Sequence, residues 1–453
     1  MRSIFAMLAV AGSLCAAPMP TQAQAGGPGT PWRGAGPQPC FGIDEFATQC
    51  ATPARTIAIR AGRLFDSNAG KLLTDQVVVI QGDRITAVGA PAQVPIPQGA
   101  QVIDLHTATV LPGLIDAHTH MFNTPRPGMS REMSALIATQ NTQADLRAGF
   151  TSIRDMSSHD NGYADVDIRN AIDKGLIEGP RAQVSTRGIR WGEPGSAAPA
   201  NALGPAIVHN VDEARAAVHD QIEHGADWIK LFPGGAYSFA QNGTAQYVTT
   251  YPLPVLQALI DETHKLGHKA ACHVFGGEGL KNAIAAGCDT VEHAFGLDQA
   301  QASLMVQKGL YYDPTFQRYI EPYMDDNDDK STAGKYRMSA IFAGAVTLAS
   351  KTPGMKIMMG SGADGATYVH GTQALDFEAL VKRGGLTPAR ALQAGTVVNA
   401  EIMGVKDRVG SLEPGKFADV IAVAGDPLAD ITELQRVKFV MKGGKVVRDD
   451  LAR

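Results

Sequence analysis

Val110-Leu-Pro-Gly-Leu-Ile-Asp-Ala-His-Thr-His120 is an apolar run that ends in two histidines, and the chain changes its rhythm there. Upstream lie short β-type runs, Thr56–Ile59, Gln76–Ile80, Arg84–Val88 and Gln101–Leu105, separated by turns such as Gln81-Gly82-Asp83. Downstream, apolar strand-like runs alternate with longer helical patterns, which predicts βα units on a parallel sheet. The expected strands are Val110–His118, Phe150–Asp155, Arg181–Arg187, Trp228–Phe232, Ala270–Phe275, Thr290–Ala294, Leu310–Asp313 and Lys356–Ser361. Between them, stretches such as Asp212–His224, Pro254–Leu266 and Gly277–Ala286 are long enough to cross back over a sheet. Eight such units predict an α/β fold, a (β/α)8 barrel over residues 110–402. The β pattern returns in Phe417–Val423 and Val437–Val447. Residues 53–109 and 403–453 are therefore expected to complete one another as a small β-sandwich flanking the barrel.

The first residues read differently. Arg2 precedes an apolar run, Ile4–Ala17, and Ala23-Gln24-Ala25 has the small-x-small form of a cleavage site, so residues 1–25 are read as a signal peptide. The run is shorter than the ~20 apolar residues of a membrane span, and no later segment is long and apolar enough to serve as one. The mature protein is expected to be secreted or periplasmic. Residues 26–52, with GGPGTPWRGAGPQP, look like a Gly/Pro-rich arm. Of the cysteines outside the signal segment, Cys40 and Cys50 are expected to form a disulfide, which export permits. Cys272 and Cys288 sit in apolar patterns and are read as small buried hydrophobes without a redox role.

The composition, 44% hydrophobic and 19% charged with 49 Gly and 26 Pro over 453 residues, suits a folded α/β protein with many turns and argues against a disordered chain. A net formal charge of −5 and the absence of a dense Lys/Arg run argue against a nucleic-acid partner.

The chemistry begins with His118 and His120. In an extended chain, residues two apart point to the same side, so both rings can reach one ion at about 2.0–2.1 Å. Alone, such a pair fits a structural role as well as a ligand role. Lys230, His273, His293 and Asp364 add weight, because each falls in or at the carboxyl end of a separate expected strand. That end of a barrel is where catalytic groups gather. Weaker candidates stand nearby. Tyr237, in a Gly-rich loop after Lys230, and His370, shortly after Asp364, are candidate catalytic or substrate-holding groups, with structural roles equally open. Arg154-Asp155 reads as an internal ion pair.

The segments LPGLIDAHTH, GFTSIRDM, GADWIKLF, CHVFGGEGLKNAIAAGCDTVEHA, GSGAD around Asp364 and GSLEPGKFADVIAVAGDPL resemble the amidohydrolase superfamily. More specifically, they resemble its imidazolonepropionase-related branch of metal-dependent peptidases and ochratoxinase-like amidases. The resemblance runs from Thr56 to Val447. It implies a site for two divalent metal ions, with His118 and His120 on the more buried ion, His273 and His293 on the more exposed one, and N-carboxylated Lys230 bridging both. Asp364 would bind the buried ion and handle the proton of a bridging hydroxide. An ammonium cannot be a ligand, whereas a carbamate offers two anionic oxygens able to span ions roughly 3.5–4 Å apart. Zinc suits the mixed nitrogen and oxygen donors, and manganese or cobalt fit the same cage.

The implied reaction is attack of that hydroxide on the amide carbonyl of a dipeptide or N-acyl amino acid, a small-molecule substrate, and a homo-oligomer is expected. One departure stands out. Many relatives carry Gly-Gly-His-Gly after the third strand, where this chain reads Thr186-Arg-Gly-Ile-Arg-Trp-Gly-Glu-Pro-Gly195, so Arg187, Arg190 or Trp191 are expected to shape the pocket instead. Two other readings remain: hydrolysis of a cyclic amide or another C–N bond, and an exported metal-binding protein without catalysis. The presence of Asp364 argues against the latter.

Overall fold

The computed structural model describes residues 55–193, 195, 202–320 and 332–451, together with the paired three-residue strands Pro39–Phe41 and Ala47–Gln49. The expected signal segment and most of the arm lie outside the described residues. So does Cys50, and with it the expected Cys40–Cys50 bridge.

The terminal β segments do meet, in one mixed seven-stranded sheet. Thr56–Asp66 pairs antiparallel with Lys71–Gln81, which pairs with Arg84–Gly89. On its other side Thr56–Asp66 runs parallel to Gln101–Pro112, and the C-terminal strands Val420–Val423, Phe439–Lys442 and Lys445–Asp449 follow in order. Gly443 and Gly444, both at positive φ, make the last hairpin turn. The sheet curls over its own apolar core, which includes Ile59, Val78, Ile80, Leu105, Val420 and Phe439. Its Arg84–Gly89 edge bonds back to residues 415–417, through Ile85 N to the Lys416 carbonyl and Gly415 N to the Ile85 carbonyl. The two faces of the expected sandwich are therefore one sheet folded on itself.

The expected strand from Val110 to His118 is two strands, broken at Gly113. Val110–Pro112 finishes the mixed sheet, and Leu114–Thr119 starts the parallel layer. A Cβ on residue 113 would overlap the Thr151 side chain, so only glycine lets the chain change sheets in this way.

From there the strands are parallel. Leu114–Thr119, Phe150–Asp155 and Arg181–Gln183 form one sheet. Ile189–Trp191, Trp228–Leu231, Lys269–Val274, Thr290–His293, Tyr311–Asp313 and Lys356–Ile357 follow one another in a second. Main-chain bonds join the two sheets at both seams. Trp228 N reaches the Val184 carbonyl at 3.2 Å on one side, and Ala117 N reaches the Met359 carbonyl at 3.1 Å on the other.

Helices return the chain between strands, with local signals that fix their ends. Ser130 caps Arg131–Arg147, Asn210 caps Val211–Glu223, and Asp298 with Gln301 makes a capping box on Gln299–Lys308, which stops at left-handed Gly309. The helices Val211–Glu223 and Leu253–Lys265 lie one residue from the ranges read in the sequence, and Gly277–Ala286 coincides with its range. No described helix is long and apolar enough to cross a membrane.

Cys272 and Cys288 correct the sequence reading: they are joined in a disulfide, with Cα atoms 6.0 Å apart. The parallel neighbours Lys269–Val274 and Thr290–His293 bring the first strand's interior beside the turn that leads into the second, a juxtaposition that only the sheet register creates.

Candidate active site

Because the strands are parallel, their carboxyl ends face one way, and the side chains singled out in the sequence converge there. His118 lies near the end of Leu114–Thr119 with His120 just beyond it. Lys230 lies in Trp228–Leu231, His273 in Lys269–Val274, and His293 is the last residue of its strand. All five line a cavity of about 600 Å³. The His118 and His293 ring centroids are 5.2 Å apart, those of His118 and His120 5.4 Å, and those of His273 and His293 4.4 Å. His293 Nε2 lies 2.9 Å from His273 Nδ1.

Three of the four imidazoles are held by partners outside the cluster. His118 Nδ1 donates to Glu292 Oε2 at 2.7 Å, which leaves Nε2 as its lone-pair atom on the cavity side. His120 Nδ1 donates to the Ser157 carbonyl at 3.2 Å, and His293 Nδ1 meets Thr315 Oγ1 at 2.5 Å. Burial, reinforced by neighbouring positive groups such as Lys230, pushes all four imidazoles well below the usual histidine range, so they are neutral donors. The backbone is strained at this end. His293, Ala294, Thr315 and His159 have φ of 72°, 42°, 45° and 45°, conformations that non-glycine residues adopt at a cost.

Lys230 is buried, and its Nζ has no hydrogen-bond partner among the described residues. Burial lowers its pKa to about 8, with Glu292 opposing the shift. An orphaned buried amine is costly unless something further satisfies it. Four neutral imidazoles on one cavity are a donor chemistry that suits divalent cations, while Asp364, one of the expected ligands, is not among the residues that line that cavity.

Asp364 sits just past the Met358–Ala363 segment that bonds to Leu114–Thr119. Its Oδ1 accepts from the main-chain nitrogens of Ala366, Thr367 and Tyr368 at 3.0, 2.8 and 3.1 Å, and its Oδ2 is paired with Arg318 Nη2 at 2.9 Å. Burial raises its pKa, but Arg318 and the main-chain donors outweigh that effect and bring it down to about 2.

Under the imidazoles lies a buried charge network. Arg154 Nη2 contacts Glu292 at 3.2 Å and Asp313 at 3.8 Å, and its Nε donates to the Ala117 carbonyl at 2.5 Å. The expected Arg154–Asp155 pair is not made. Asp155 instead accepts from the main-chain nitrogens of Met121 and Ser157, pinning the turns that follow both flanking strands.

Two other candidates are displaced. His370 does not line the cavity: it is buried, with Nδ1 2.9 Å from Asp145 and Nε2 3.1 Å from the His120 carbonyl, so it braces the main chain of His120. Tyr237 is also buried and off the cavity wall, packed edge-on against Phe239, Phe275 and Phe295. Aromatic packing has claimed the ring that the sequence offered to a substrate. Arg187 is likewise turned away, donating to the Gly204 carbonyl, whereas Arg190 and Trp191 do line the cavity. The Arg190 guanidinium lies 4.2 Å over the Phe232 ring and makes no ion pair among the described residues.

Arg318, His159 and Glu292 are functional-site residues that the sequence reading missed. His159 follows the end of Phe150–Asp155, stacks on His120 at 3.9 Å and donates through Nδ1 to the Phe122 carbonyl. Its place beyond a strand end was a usable signal. Arg318 lies in a short turn, Gln317–Tyr319, with no periodicity to mark it.

The comparisons with known proteins point to one family. The Amidohydrolase family model matches residues 109–447. The ochratoxinase of Aspergillus niger is 29% identical over 436 residues, covering 87% of each chain. Its crystal structure superposes with a TM-score of 0.75 at 26% identity, covering 87% of this chain and 96% of that one. A crystal structure of a Xaa-Pro dipeptidase with bound methionine gives a TM-score of 0.76 at 29% identity, covering 87% of this chain and all of the other. An imidazolonepropionase of Acinetobacter baumannii is 24% identical over 388 residues, covering 77% of this chain and 88% of its own. The chain is a member of the amidohydrolase family, a hydrolase of amide bonds.

Proposed function

We propose that the chain is a binuclear metal-dependent amidohydrolase, built on an eightfold βα barrel, that cleaves dipeptides or N-acyl amino acids. The observation that carries this reading is the convergence on one cavity of His118, His120, His273 and His293 with the buried Lys230, whose Nζ finds no hydrogen-bond partner among the described residues. His118, His120 and Asp364 would hold one ion, His273 and His293 the other, and carboxylated Lys230 both. Two such ions supply Lewis acidity and a water of lowered pKa.

The chain's own residues do the rest. With a pKa brought down to about 8, roughly a tenth of Lys230 is unprotonated at pH 7, the form that reacts with carbon dioxide. Asp364 would take a proton and pass it to the leaving nitrogen once its Oδ2 is released from Arg318. Arg190, over the Phe232 ring at the cavity wall, would bind a carboxylate on the leaving amine bidentately, and Trp191 would offer an apolar surface beside it. The Cys272–Cys288 disulfide supports an exported protein, since such bonds persist in oxidising compartments.

The test compares an N-acyl aromatic amino acid with its C-terminal amide on metal-loaded protein. Removing the charge should lower kcat/KM by about tenfold or more, because a hydrogen bond to a charged group is lost. Equal rates on the two compounds would mean that no carboxylate is read, and would favour a different C–N bond.

A further inference from the structure

We propose that Arg318 is an internal cation that competes with a metal ion for Asp364, and so sets how tightly this chain holds metal at that position. The inference rests on the reading of Asp364 as a ligand. Of the two Asp364 oxygens, Oδ1 is occupied by three main-chain donors from residues 366–368, so Oδ2 is the oxygen left for a cation. Arg318 Nη2 holds that oxygen at 2.9 Å, while Nη1 donates to the Gly362 carbonyl at 2.5 Å.

The arrangement is built for the arginine. A Cβ on residue 362 would come within 2.9 Å of Arg318 Cδ, so the glycine makes room for the side chain. These two partners belong to the segment that carries Asp364, so the guanidinium ties the segment and its carboxylate together. Arg318 also lines the cavity alongside His118, His120 and Lys230, which places its charge among the ligand groups. A divalent ion and a guanidinium repel at such separations in a partly enclosed site. Metal binding at Asp364 must therefore draw Oδ2 away from Nη2, and the lost charge-assisted hydrogen bond is subtracted from the metal's affinity. The same pair would keep Asp364 oriented when no metal is bound.

The test is a zinc titration of the full chain, read by competition with a chromophoric chelator, on wild type, Arg318→Met, Arg318→Lys and Asp364→Asn, together with urea unfolding of each metal-free protein. Arg318→Met should bind zinc more tightly by on the order of 10- to 100-fold and lose stability without metal. Arg318→Lys, which keeps the charge, should stay near wild type. If the methionine variant does not fold, Arg318→Gln, which retains a donor for the Gly362 carbonyl, takes its place with the same expected gain. Unchanged or weaker zinc binding in the Met or Gln variant, with affinity lost in Asp364→Asn, would overturn the competition while leaving Asp364 a ligand. Unchanged affinity in Asp364→Asn would overturn the inference and the ligand reading together.

Discussion

Glu292→Gln is the substitution with the most to say about how the site is built. Glu292 is fully buried between two partners on other strands, His118 Nδ1 at 2.7 Å and Arg154 Nη2 at 3.2 Å, and it also accepts a short hydrogen bond from the Thr290 hydroxyl. Glutamine keeps the shape but removes the charge, so among the described residues Arg154 is left with Asp313 at 3.8 Å as its carboxylate partner. Breaking a buried pair from one side costs about 3–5 kcal/mol, and the Asp313 contact puts the expectation at the lower end, about 3 kcal/mol. The imidazole of His118 also loses the partner that fixes its tautomer and raises its basicity. Loss of such a partner typically weakens metal binding by about 10- to 100-fold. Urea unfolding of metal-free protein measures the first quantity, and zinc titration against a chelator the second. If Glu292→Gln changed neither, Glu292 would be a bystander, and the account of how His118 is oriented would fail.

Further outcomes follow from the same geometry. Arg190→Met should abolish the preference for a free carboxylate over its amide, mainly through KM, in the substrate comparison proposed above. Lys230→Ala should lose most activity and one or both metal ions, and a short-chain carboxylic acid should restore part of it; wild-type metal content would make Lys230 a structural lysine. The pH dependence of the metal-free protein carries a sign. Since burial lowers the folded-state pKa of Lys230 to about 8, the unfolded chain binds more protons there between about pH 8 and the ordinary lysine range, so stability at this residue rises with pH across that window. Lys230→Met should then be more stable than wild type below pH 8 by on the order of a few kcal/mol, with the difference shrinking at higher pH, and a pH-independent difference in urea midpoints would contradict it.

Much of the site was legible because strand alternation is local. His118 and His120 share a face through a period of two, and Lys230, His273 and His293 each sit in an apolar run whose end could be read. What the sequence could not carry was set by neighbours distant along the chain. Arg154 ignores adjacent Asp155 for Glu292 and Asp313, because parallel strands bring those carboxylates under the imidazoles. The Cys272–Cys288 bond depends on register between neighbouring strands. Tyr237 and His370 were placed by their spacing from Lys230 and Asp364, but packing against Phe275 and pairing with Asp145 decided where the rings went. Val110–His118 was read as one strand because its apolar character is continuous, while the break depends on Gly113 passing Thr151.

The central claim, a metal-dependent attack on an amide bond, is tested most directly by turnover of an N-acyl aromatic amino acid before and after exhaustive chelation, with metal content verified by elemental analysis. Activity should disappear with the metal and return on adding zinc or manganese. Full activity in protein verified to contain no metal would contradict it.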